Sequence, residues 1–116
     1  MVPFDKRSGK IWYNNEVVDW QNVKLHVLSH GLHYGSCVFE GLRVYDGKIF
    51  KLEEHTDRLY HSAKRMDIKI PYSKDEINNA TKKLFHHKVF KMDMLDHLFG
   101  EEVNRWQSLH KKLKYM

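Results

Sequence analysis

At 116 residues, with 41% hydrophobic and 30% charged residues, the chain has the profile of one small globular domain and not of a disordered or fibrous protein. A domain of this size buries roughly two-thirds of the surface its unfolded chain exposes, so one core is the limit, whereas cofactor enzymes commonly build their sites between two domains. The formal charge of +5 permits weak nucleic-acid association, but basic and acidic residues are interleaved until His110-Lys111-Lys112-Leu113-Lys114. Without several convergent cations or a zinc-finger or RNA-binding signature, that run reads as a solvated end, and no nucleic-acid partner is expected.

The first residues, Met1-Val2-Pro3-Phe4-Asp5-Lys6-Arg7, have no apolar stretch behind their charges, and no segment approaches membrane-spanning length. A cytoplasmic chain with no membrane partner is the expectation. The single cysteine, Cys37, excludes an internal disulfide and fits a reducing compartment. Placed between Ser36 and Val38 in an apolar run, it reads as a buried small residue and not as a nucleophile.

Ile11-Trp12-Tyr13 and Val17-Val18-Asp19-Trp20 are β-branched and aromatic runs separated by Asn14-Asn15-Glu16. Paired asparagines tolerate the positive φ of a tight turn, which predicts a hairpin. A second apolar run, from Lys24 to Leu28, leads into Ser29-His30-Gly31-Leu32-His33-Tyr34-Gly35, whose glycines bracket a short irregular or one-turn segment. Val38 to Tyr45 alternates as a strand, closed by the hairpin signal Asp46-Gly47 and followed by Lys48-Ile49-Phe50.

From Leu52 the period becomes helical, through His55, Leu59, Ala63 and Met66, with Glu53 and Glu54 complementing the helix dipole and Pro71 ending the unit. A second helix is predicted from Ser73, with Glu76 completing a capping box and Ile77, Ala80, Leu84 and Phe85 forming its apolar face. Beyond about His87, Leu98, Phe99, Val103, Trp106, Leu109 and Leu113 suggest, on pattern alone, an amphipathic helix interrupted by Gly100.

Three elements stand out together: His30-Gly31-Leu32-His33-Tyr34-Gly35, Val38-Phe39-Glu40-Gly41-Leu42-Arg43, and Leu52-Glu53-Glu54-His55-Thr56-Asp57-Arg58-Leu59. In this order and spacing they resemble the start of the class IV, pyridoxal-phosphate-dependent aminotransferases, in particular the branched-chain amino-acid aminotransferases. The resemblance runs from about Ile11 to Leu84. It implies an α+β fold, the small N-terminal domain of such an enzyme, in which an antiparallel sheet carries two helices. Residues 1–88 would be part of that domain and residues 89–116 a non-family tail.

The resemblance makes Arg58 the ligand of the pyridoxal 5'-phosphate phosphate, a role that a planar guanidinium fills with two parallel hydrogen bonds. Read without it, Arg58 is a surface arginine paired with Glu54 one helical turn back. Phe39 and Tyr34 match aromatics lining the aliphatic side-chain pocket, the Tyr34 equivalent reaching the neighbouring subunit's site; Gly41 and Arg43 belong to the same stretch. For these four, ordinary packing on a sheet is the other reading. His26, His30, His33, His55, His61, His86 and His87 invite a metal, but no matched carboxylate or cysteine set accompanies them, and no metal site is assigned.

The implied reaction moves the α-amino group between leucine, isoleucine or valine and 2-oxoglutarate. It needs a lysine that holds the cofactor covalently and shuttles the substrate α-proton. No lysine here sits in a matching motif, so no catalytic residue is assigned and the chain is expected to be an inactive part of the enzyme. Weak or no cofactor binding is expected of it alone, with self-association through exposed apolar surface. A non-catalytic dimerisation module is the alternative.

The tail suggests a cause. Codons can be chosen for the stretch from Met92 to Gln107 whose reading displaced by one nucleotide gives NGYARPFIWRGSEQ, which looks like the family strand expected there. Loss of one base near Lys91 would make everything after it an out-of-frame translation, poorly packed or nonspecifically sticky.

Overall fold

The computed structural model describes residues 3–86 and 94–100. A short 3-10 turn, Phe4–Lys6, precedes β1 (Lys10–Tyr13), which pairs antiparallel with β2 (Glu16–Asp19). Tyr13 lies opposite Glu16, so the turn is only Asn14-Asn15, with φ of 49° and 68°. That is the backbone of a type I′ hairpin, in which both central residues are left-handed. Trp20, expected to extend the strand, instead starts the 3-10 turn Trp20–Asn22.

After an extended segment comes α1 (His30–His33), the one-turn element the bracketing glycines predict. The longest strand, β3 (Cys37–Tyr45), turns through Asp46-Gly47, both at positive φ, into β4 (Lys48–Ile49). Phe50 lies beyond that strand.

Helix α2 spans Leu52–Arg65 and buries Leu52, Thr56, Leu59 and Ala63, while Met66 is exposed. The helix stops well before Pro71. Asp67 takes the left-handed conformation, φ 56°, and the Ile68 N–H returns to the Ala63 carbonyl at 2.8 Å. This is a Schellman ending, completed by the apolar contact of Ile68 with Ala63 in one core cluster. Helix α3 (Lys74–His86) has the predicted reciprocal cap: the Glu76 N–H donates to Ser73 Oγ at 3.1 Å, and the Ser73 N–H donates to Glu76 Oε2 at 2.6 Å.

Strand β5 (Met94–Gly100) pairs antiparallel with β3 from Cys37↔Gly100 to Arg43↔Met94, giving the order β4-β3-β5. The expected helix is therefore wrong for this segment. An edge of β3 carries unpaired N–H and C=O groups, and a seven-residue ladder satisfies them whatever the local apolar period. The boundary at 88/89, the Lys91 position, and the basic run at 110–114 lie outside the described residues.

The main core joins Val38 of β3, Leu59 and Ala63 of α2, Ile68, and Ile77 of α3, with Trp12 of the hairpin, Tyr60, Ile70 and Tyr72 packed against it. Burying each large aliphatic side chain contributes about 1.5–3 kcal/mol. A second cluster, Leu42 and Leu52 with Ile49 and Phe85, closes the far end. Polar links tie the layers: Thr56 Oγ1 donates to Asn78 Oδ1 at 2.5 Å, and the Tyr60 hydroxyl donates to the Tyr72 carbonyl. Cys37, expected to be buried, is only half-buried at the start of β3.

Candidate functional site

Alternation along β3 turns Val38, Glu40 and Leu42 toward α2 and leaves Phe39 and Arg43 exposed, with Gly41 half-buried between them. A carboxylate on the buried face, with only 5% of the residue exposed, must be paired or suffer a desolvation penalty. Helix α2 supplies the partners. His55 and Arg58 are three residues apart, so they share a helical face. Arg58 donates from Nε to Glu40 Oε1 at 2.5 Å and from Nη2 to Oε2 at 2.7 Å, a two-pronged grip, and His55 Nδ1 lies 2.6 Å from Oε2.

The Arg58 hydrogen bond, followed by that of His55, holds the Glu40 carboxyl below the usual carboxylate range against the opposing effect of burial. Glu40 in turn raises the Arg58 pKa. An ionised carboxylate only accepts, so His55 carries its proton on Nδ1. The 3.4 Å approach of Arg58 Nη2 to that nitrogen is then donor against donor and no hydrogen bond. A guanidinium has five N–H donors; Glu40 engages the Nε/Nη2 edge, and the Nη1 side belongs to a side chain that is 65% exposed.

The partner of Arg58 is thus Glu40 and not Glu54. Phe39, Gly41 and Arg43 are brought together along one face of β3, opposite the face that carries the Glu40–Arg58 pair. Tyr34, at the end of α1, is exposed, its ring 5.0 Å from His30 and 4.7 Å from His33. The expected site residues therefore occupy two surfaces, not one pocket. The sequence alone points to no role for Glu40, and to none for His55 beyond the helical period and an unmatched set of histidines, although both lie inside the motifs. The signal was an acid at a buried position of a period-two strand.

An open cleft of about 640 Å³, lined among others by Asp57, Tyr60, His61, Lys64 and Lys74, holds none of these residues; it lies where the chain leaves α2 for α3. Among the described residues no group of three His, Cys, Asp or Glu side chains could hold a metal, and no helix is long and apolar enough to cross a membrane.

Residues 37–92 match the family model described as Amino-transferase class IV, and over 80 residues the chain is 55% identical to the Branched-chain-amino-acid aminotransferase of Pseudomonas aeruginosa. This stretch belongs to the class IV aminotransferases. The Pseudomonas match takes in 66% of the chain and 26% of that relative. Among solved class IV structures, the Escherichia coli branched-chain amino acid aminotransferase superposes with a TM-score of 0.73 at 36% identity, over 84% of this chain and 35% of that one. The T.th. Branched-Chain Amino Acid Aminotransferase with Pyridoxamine 5'-phosphate gives 0.74 at 36% identity, over 83% and 34%. The chain thus spans about a quarter to a third of the length of these aminotransferases. Its α+β arrangement of small antiparallel sheets and helices is that of their N-terminal domain.

Proposed function

We propose that this chain supplies the cofactor-phosphate arm and part of the substrate wall of a branched-chain amino-acid aminotransferase. The parent reaction exchanges the α-amino group between leucine, isoleucine or valine and 2-oxoglutarate. Pyridoxal 5'-phosphate, when bound, supplies the electron sink for removal of the substrate α-proton. The carrying observation is Arg58: anchored by Glu40 on one edge, exposed over most of its surface, it has donors of the number and planar spacing that a phosphate accepts. The T.th. relative, described with pyridoxamine 5'-phosphate, supports the choice of anion. Phe39, Gly41 and Arg43 form the wall, and Tyr34 extends from the neighbouring turn.

No described residue is assigned the covalent or proton-transfer role, so we propose that turnover by the 116 residues alone is nil. Leucine and 2-oxoglutarate assayed with this chain should give no glutamate. The same residues replacing the corresponding stretch of the Pseudomonas relative should restore it, and Arg58→Ala should abolish the restored activity. Activity that survives Arg58→Ala would sink the assignment. On this reading the protein works in the cytoplasm, which cell fractionation checks.

The chain after about Lys91 is proposed to be read out of frame, one base having been lost there. The family match, which stops at residue 92, supports this. Sequencing the gene across Lys91 and Met92 tests it, since codons incompatible with the displaced reading remove the explanation.

A second reading, a non-catalytic association module, is favoured by one observation. Leu25, Val27, Leu28, Leu32, Tyr34 and Phe39, six large apolar or aromatic side chains within fifteen residues of sequence, are each more than half exposed, as residues of an interface would be. Co-expression with a full-length relative should then yield a stable heterodimer; separate species would exclude it.

A further inference from the structure

We infer that Glu40 is a positioning residue for the phosphate ligand: its carboxylate, buried in β3, holds the Arg58 guanidinium by the Nε/Nη2 edge so that the Nη1 side is presented to the cofactor phosphate. The inference rests on the reading of Arg58 as that ligand.

Three observations carry it. Glu40 is 5% exposed while the Arg58 side chain is 65% exposed, so the acid is part of the scaffold and the base is the group that reaches out. The contact is two-pronged, at 2.5 and 2.7 Å, and a planar fork held at two points has its remaining N–H directions set with it. His55 Nδ1, 2.6 Å from Oε2, braces the same carboxylate from one turn earlier on α2, so Glu40 is itself held against swinging away with the arginine.

A lone arginine on an exposed helix face must be ordered each time it grips an anion; here the ordering is done before the anion arrives. Glu40 also places a negative charge behind the guanidinium, which opposes anion binding. Orientation and neutralisation therefore predict opposite effects of removing that charge, and the experiment separates them.

The full chain is titrated with pyridoxine 5'-phosphate and with pyridoxine, probes without an aldehyde and so unable to form a Schiff base with surface lysines. The readout is the ratio of the two affinities, which isolates the phosphate contribution from general changes in the fold. However weakly it binds the two probes, the wild-type chain should prefer the phosphorylated one, and Arg58→Ala should erase that preference. Glu40→Gln should reduce it by about tenfold, the factor expected when one long side chain must be ordered on binding, with pyridoxine affinity unchanged.

Glu40→Asp keeps the charge but draws it back by one methylene, and it serves if the glutamine variant does not fold. It should lose preference as well, whereas a pure charge effect would leave it at the wild-type level. If the wild type shows no preference, or Arg58→Ala retains it, the phosphate-ligand reading falls and this inference with it. If Arg58→Ala loses the preference while the Glu40 variants keep or increase it, the positioning role alone is overturned.

Discussion

Glu40 on β3 and Arg58 on α2 meet edge to edge, through hydrogen bonds of 2.5 and 2.7 Å between residues 18 apart in sequence. The pair joins the central strand to the helix covering it, tying a buried carboxylate of β3 to an exposed cation of α2. Its consequences for stability are separate from any role with a cofactor.

Acid should weaken the fold through Glu40. Its folded pKa lies below the ordinary value of 4.5, so the stabilisation it contributes is fully present above that value and is lost as pH falls through the folded pKa. Urea midpoints for the wild type and Glu40→Gln should differ most at neutral pH and converge in acid. A difference that stays constant from neutral pH to well below the carboxylate range would contradict the linkage.

The core has little reserve. Leu59 and Ile77 are each 1% exposed and join α2, α3 and β3 in one cluster. Truncating either to alanine should cost about 2–5 kcal/mol, enough to unfold a marginal domain. Circular dichroism during thermal melts gives the readout, and a loss well under about 1 kcal/mol would mean that the cluster is not where the stability resides.

The Ser73–Glu76 cap is a smaller, cleaner test. Ser73→Ala removes the acceptor of the Glu76 N–H and should cost about 1 kcal/mol in denaturant unfolding, while Ser73→Gly should cost only a few tenths. Equal losses for the two would show that the hydroxyl is not acting as a cap.

Asp67 ends α2 in the left-handed region at φ 56°, where an L side chain is disfavoured by about 1–2 kcal/mol and glycine is not. Asp67→Gly should therefore raise the melting temperature and Asp67→Val should lower it. The opposite order would mean that the aspartate side chain makes a local bond worth more than the backbone strain.

Much of the fold was legible because local chemistry and tertiary packing agree. Asn14-Asn15 and Asp46-Gly47 make the turns their side chains favour, and Ser73 with Glu76 starts a helix where the capping pattern says one should start. Agreement failed where a long-range partner decided the outcome. Asp67 stops α2 because Ile68 finds the Ala63 carbonyl and the core, a signal weaker in sequence than Pro71. Met94–Gly100 is a strand because β3 offers it a ladder, which no local period reveals.

The candidate site was legible in its motifs and not in its geometry. The motifs single out Arg58, Phe39, Gly41 and Arg43 one by one as candidates, but strand alternation puts Arg58's partner and the other three on opposite faces of β3. The acid that holds Arg58 was visible only as a charge at a buried register position.

The order in which the chain can assemble follows from its connections. A two-residue turn joins β3 to β4, α2 begins three residues after β4, and the Glu40–Arg58 contact closes within 18 residues, so this unit needs little loop closure and can form while later residues are still leaving the ribosome. Strand β5 pairs back across the whole of α2 and α3 and joins last. An error in the message downstream of α3 would thus meet a nucleus already formed, and the nascent protein would present to the cell's quality control a native-like body with an altered final strand.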